Sequence, residues 1–182
     1  MPVVEHVVNA EGDNSRGNSY GITMVVLAWV TALGLATVFF QEWLDEREHP
    51  NRVVHGVVTD GGAREVILER NRQGHYVASG EINGHPVRFM VDTGATNLGI
   101  PAALAGELGL ERGVAASSHT AGGRVKVYLL NLDSVMLGNI EMRDVRASVI
   151  PDMPGEEVLL GMSFLKHLEI VQKNGEMTLR QY

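Results

Sequence analysis

The sequence predicts an all-β domain that follows a single apolar helix. Three observations carry this. Residues 17–41 contain no charged side chain, and Ile22–Phe40 reads ITMVVLAWVTALGLATVFF. Beyond residue 73, short alternating runs are separated by the two-residue turn signals Asn83-Gly84, Gly138-Asn139 and Asn174-Gly175. Only Ala102–Leu108, with Pro101 near its start and Gly109 beyond it, and Ser163–His167 read as helix in that part of the chain.

Taken in order, residues 1–19 are polar and without periodicity, which predicts a disordered leader. Residues 20–41 predict a transmembrane helix. At about 1.5 Å rise per residue the apolar run is about as long as a bilayer core is thick, and Trp43 stands where an interfacial aromatic lies. A buried helix of a soluble domain would show a polar face. A cleaved signal peptide would have a basic start and a shorter core, whereas the residues before this segment are acidic. Residues 42–72 are rich in Glu, Arg, Asn and Gly and read as a hydrophilic linker, with VVHGVV (53–58) and EVILE (65–69) as possible short strands. The folded domain is expected over 73–182, with strands over 76–82, 85–91, 124–137, 140–150, 158–160, 168–172 and 177–180. Many short strands with little helix fit a small barrel or sandwich.

Composition excludes several functions. Acids outnumber bases 22 to 15, against the basic stripe that nucleic-acid binding needs. The chain has no cysteine, so disulfides, thiolate catalysis and cysteine zinc sites are out. The seven histidines form no HExxH or similar ligand spacing, so neither a metal nor a cofactor is expected. Ser163 lies in Gly-Met-Ser-Phe rather than a Gly-x-Ser-x-Gly elbow.

The informative segment is Phe89-Met90-Val91-Asp92-Thr93-Gly94-Ala95-Thr96-Asn97-Leu98. One acid follows an apolar strand and enters a tight polar turn, a placement that is unfavourable unless the carboxylate is hydrogen-bonded or functional. Gly94 lets backbone amides approach it, and Thr93 offers a hydroxyl to the turn or to a partner chain. An ordinary β-turn would use the same three residues. The context separates the two readings, because an apolar-apolar-Gly triplet, Leu159-Leu160-Gly161, follows downstream.

Asp92-Thr93-Gly94-Ala95 resembles the active-site loop of retropepsin-like aspartic proteases, and Leu159-Leu160-Gly161 is similar to their second signature. His119–Tyr128, HTAGGRVKVY, resembles the glycine-tipped flap, with Gly122-Gly123 near its tip. The flap often carries an Asn beside the glycine, where this chain has Ala121-Gly122-Gly123. The overall similarity is to bacterial single-pass membrane proteases with one retropepsin-like domain, over residues 73–182 and the anchor. It implies a half-pepsin barrel. It also implies catalysis by Asp92 with Thr93 and Gly94, and peptide contacts from Ala95, Ala121, Gly122 and Gly123. The implied location is the bacterial inner membrane with the domain in the periplasm, although Arg16 before the apolar segment and Arg47 and Arg52 after it lean the other way.

The chemistry needs two carboxylates on one water, sharing one proton. This chain has a single Asp-Thr-Gly; Asp133, Asp144 and Asp152 sit in contexts that read as surface turns. The second Asp92 is therefore expected from a second copy, in a two-fold homodimer acting on peptide or protein substrates. The alternative is an inactive peptide-binding or assembly module of the same fold.

Overall fold

A computed structural model describes residues 15–111, 113–120 and 123–182. It divides into two units, Met1–Leu44 and Asp45–Tyr182.

The first unit holds most of helix α1 (Ser15–Glu48). Gly21–Gln41 has a mean hydropathy of 2.2 and none of it is buried, so it is long and apolar enough to cross a membrane. Its large side chains, Leu27, Trp29, Leu33 and Phe39 among them, are all exposed. The Thr31 and Thr37 hydroxyls donate to the Leu27 and Leu33 carbonyls at 2.8 Å each, which hides their polarity within the helix.

The second unit is built of β1 (Gly56–Val58), β2 (Arg64–Glu69), β3 (Val77–Ile82), β4 (His85–Val91), β5 (Leu98–Pro101), α2 (Ala102–Glu107), β6 (Val114–Thr120), β7 (Gly123–Leu137), β8 (Ile140–Ile150), β9 (Glu157–Leu160), α3 (Met162–Leu165), β10 (Glu169–Lys173) and β11 (Glu176–Gln181). Seven strands follow the order β3-β4-β9-β5-β8-β7-β6, and β3 pairs back onto β7 through Glu81↔Met136 and Ile82↔Val135. That last pairing closes the sheet into a barrel and leaves β6 as a projecting strand. The core fills its inside with Phe89, Leu98, Ile100, Leu132, Leu160 and Phe164, all fully buried.

The turn chemistry sets the register. Asn83 and Gly84 have φ of 51° and 78°, and Asn174 and Gly175 have 54° and 87°. Positive φ at both central residues is the twist-matched hairpin turn, and Asn-Gly adopts it with least strain. These turns fix Ile82 opposite His85 and Lys173 opposite Glu176.

The structure departs from the sequence expectation at the chain's beginning. The stretch read as a linker with two possible short strands does form β1 and β2 there, and the second unit starts at Asp45 rather than Gln73. The physical reason is period-two burial: Val66 and Leu68 are fully buried, and β2 pairs antiparallel with β11, whose Met177 and Leu179 point the same way. The result is an open sheet ordered β1-β2-β11-β10.

Just before it, Asn51 works as a knot. Its side-chain Nδ2 donates to the carbonyls of Glu69 and Val77 at 2.8 Å each, and its Oδ1 accepts from Glu69 N–H at 2.7 Å. Its main-chain carbonyl accepts from Ser79 N–H at 3.0 Å. One buried residue therefore ties β2 to β3.

Candidate active site

Strand β4 delivers Asp92 to the edge of the barrel interior. It runs parallel to β9, pairing Val91 with Leu160, and the Asp92 N–H donates to the Leu160 carbonyl at 3.1 Å. The chain then turns sharply: Gly94 N–H donates to Asp92 Oδ1 at 2.8 Å and Ala95 N–H to the Asp92 carbonyl at 3.2 Å. Asp92 is partly exposed. Its carboxylate thus has one oxygen held by a backbone amide, while the cleft in front of it is open.

The far limb of the loop is bolted to the turn that follows β9. Met162 N–H donates to the Ala95 carbonyl at 2.7 Å and Ser163 N–H to the Thr96 carbonyl at 2.9 Å. Gly161 makes this approach possible: a Cβ there would lie 2.3 Å from the Asn97 carbonyl oxygen and 2.7 Å from that of Ala95. The apolar-apolar-Gly signature is therefore a packing requirement, with Leu160 buried and Leu159 half-buried in β9 and a glycine where two backbones meet.

A cleft of about 360 Å³ opens over the loop. Asp92, Gly94 and Ala95 line it together with Thr96, Asn97 and Gly99. Ser118 of β6, Val127 of β7, Ser148 and Ile150 of β8, and Leu159 of β9 complete it. Asp92 is the one acidic side chain in this lining. Thr93 lies on the exposed turn outside it. Gly123 starts β7 with φ of 113°, and Ala121 and Gly122 lie outside the described residues. Strands β6 and β7 form a long hairpin, paired from Val114↔Leu129 to Thr120↔Gly123. Asp133, Asp144 and Asp152 are all exposed and away from the cleft.

Sequence reasoning missed the polar framework around the loop. Asn97 Nδ2 donates to Ser148 Oγ at 3.2 Å. Ser163, set aside as a nucleophile, accepts from Leu98 N–H at 3.1 Å and donates to the Arg146 carbonyl at 2.7 Å. No local motif signals these pairs; the only hint was a hydroxyl directly after the Leu159-Leu160-Gly161-Met162 run.

The comparisons with known proteins agree with this geometry. A family model described as "gag-polyprotein putative aspartyl protease" matches residues 78–167. The crystal structure of a retropepsin-like aspartic protease from Rickettsia conorii superposes with a TM-score of 0.58 at 26% identity, covering 71% of this chain and 96% of that one. The chain belongs to the retropepsin-like aspartic protease family. Two uncharacterised bacterial proteins also resemble this retropepsin-like chain. One, in the cobV 5′ region of a Sinorhizobium species, is 32% identical over 129 residues, 68% of this chain and 55% of its own length. The other, from Rickettsia prowazekii, is 27% identical over 122 residues, 65% of this chain and 52% of its own. The chain spans about half the length of the curated relatives it matches.

Proposed function

We propose that this chain is an aspartic endopeptidase that works as a homodimer, with one Asp92 from each copy on a shared two-fold axis. The observation that carries this reading is a cleft containing a single carboxylate, presented by a rigid loop at its mouth. One carboxylate cannot serve both as base and as acid in the same step. A second copy supplies the other without any new residue type, because an isologous contact brings like residues together.

In the dimer, an ionised Asp92 takes a proton from the water between the two carboxylates. The water oxygen bonds to the scissile carbonyl carbon while the protonated Asp92 gives its proton to the carbonyl oxygen. The diol collapses: one of its hydroxyls returns a proton to the Asp92 now ionised, the C–N bond breaks, and the proton first taken from water goes to the leaving amine, which restores the pair with one shared proton. Gly94 N–H on Oδ1 fixes the carboxylate's direction. Thr93, exposed on the same turn, faces outward where the second copy comes. The hairpin of β6 and β7 covers an extended peptide, with Gly123 on its far side, and Ala95 contacts the peptide from below. The apolar segment of α1 is the anchor, in the inner membrane of a bacterium, with the domain on the periplasmic side.

The test is Asp92→Asn. The variant keeps the side chain's shape and should remain folded and dimeric by sedimentation, with cleavage of a denatured protein reduced by at least about a thousandfold. That scale follows from losing the general acid and base together. Turnover close to wild type in this variant would end the proposal. A wild-type dimer that binds peptides and never cuts them would make the chain a binding module.

A further inference from the structure

Ser163 occupies a place that no cleavage chemistry explains. Its hydroxyl uses both its capacities, donating to the Arg146 carbonyl of β8 at 2.7 Å and accepting from Leu98 N–H at the start of β5 at 3.1 Å. Its own N–H holds the Thr96 carbonyl at 2.9 Å. One residue of α3 thus joins two points of the limb leaving the Asp92 turn to β8, the strand that pairs with β5. Ser148 stands two residues along β8 from Arg146 and takes the Asn97 side chain at 3.2 Å. Leu98 itself is fully buried, so its N–H has no water to turn to.

The near limb of the turn needs no such help, since Asp92 N–H is already in register with Leu160 of β9. The far limb has no ladder until β5 begins at Leu98. Between the two, position of the carboxylate depends on where residues 95–98 are fixed. We infer that Ser163 is a positioning residue for the proposed protease, which sets the Asp92 turn at the height where two copies present their carboxylates to one water. This rests on the protease reading, and it goes beyond it by assigning the height of the turn to a side chain outside the cleft lining. Alanine at 163 keeps the helix and deletes both hydroxyl bonds. Threonine keeps the hydroxyl, and cysteine keeps the volume with a much weaker donor and acceptor.

The experiment uses the full chain in detergent or bilayers, with three variants, S163A, S163T and S163C. Amide hydrogen exchange and steady-state cleavage are measured on each, and active sites are counted with a tight-binding hydroxyl-bearing peptide isostere. In S163A, Leu98 N–H should exchange at least about tenfold faster, while amides in the middle of β8 stay at wild-type rates. The kcat per titrated site should fall by about ten- to a hundredfold with KM within about threefold, the size expected when a reacting group is displaced by a fraction of an ångström to an ångström. S163T should restore both quantities, and S163C should lie between. Wild-type kcat per site in S163A, with only the melting temperature lowered, would overturn the inference and leave Ser163 a purely structural residue. Unchanged Leu98 exchange in S163A would overturn it as well. Should S163A fail to fold, S163C decides on the same two readouts. Should the wild-type chain cut nothing, the protease reading falls, and Leu98 exchange alone then decides whether Ser163 holds the turn.

Discussion

The two sheets of the second unit solve the same problem in opposite ways. The seven-stranded sheet closes on itself through β3 and β7, so it buries most of its edges and can carry a tight, open-faced loop at Asp92. The four-stranded sheet stays open. Its strands come from the two ends of the unit, residues 56–69 and 169–181, and are sealed only by β2 lying against β11. The closed sheet therefore carries the candidate site, and the open sheet decides whether the ends of the unit hold together. Function and integrity should be separable by mutation along this division.

The largest break comes from removing part of the open sheet. A chain starting at Gln73 loses β1, β2 and the Asn51 knot, leaving Met177 and Leu179 of β11 paired with β10 on one side and open on the other. It should show no cooperative thermal transition by circular dichroism, whereas a chain starting at Asp45 should melt cooperatively. Equal transitions in both would mean that the open sheet is ornamental.

A smaller test stays within one strand. Leu68 is fully buried and Ile67 is 48% exposed on the opposite face. Leu68→Ala should cost about 2–5 kcal/mol in denaturant unfolding, the range for a buried leucine, and Ile67→Ala well under half of that. If the division holds, Leu68→Ala should leave kcat per titrated site unchanged in the protein that remains folded. A fall in kcat would show that the two sheets are coupled after all.

The mildest effect belongs to the outer face of the open sheet. Arg180 bridges Glu65 at 2.6 Å and Glu169 at 2.8 Å, and Tyr182 OH donates to Glu169 at 2.8 Å. The Tyr182 hydrogen bond, then Arg180, hold the Glu169 carboxyl below its usual value. A depressed carboxylate contributes stability above its unfolded value and loses it as pH falls through the folded one. Tyr182→Phe should therefore move the Glu169 titration, followed by carboxyl-carbon NMR, back up toward the ordinary glutamate range. Stability near neutral pH should hardly change, because this group stands at the surface and is well screened.

Much of this was legible in the sequence wherever the signal is local. Asn83-Gly84 and Asn174-Gly175 carry their turn conformation in two adjacent residues, and the structure places hairpins on both. The apolar run of α1 needs no partner to be seen. What escaped was either short or distant. Strand β5 is four residues, fully buried, with Gly99 and Pro101 in it, so it shows neither alternation nor β-branched enrichment. Strand β6 reads VAASSHT, small and polar, and becomes a strand through pairing with β7. Strand β2 showed its alternation, but its partner β11 lies over a hundred residues away. In the site, Asp92 and Gly94 form a contiguous motif, while the Asn97–Ser148 and Leu98–Ser163 bonds link positions 51 and 65 residues apart. A single sequence carries no period that would join them.

The Asn51 knot also has a mechanical meaning. Any tension that travels along the chain from its N-terminal side meets Asn51 before it meets β1, and passes at once into β2 and β3 through four hydrogen bonds. The weak three-residue strand β1, exposed along its whole length, is bypassed and carries no load.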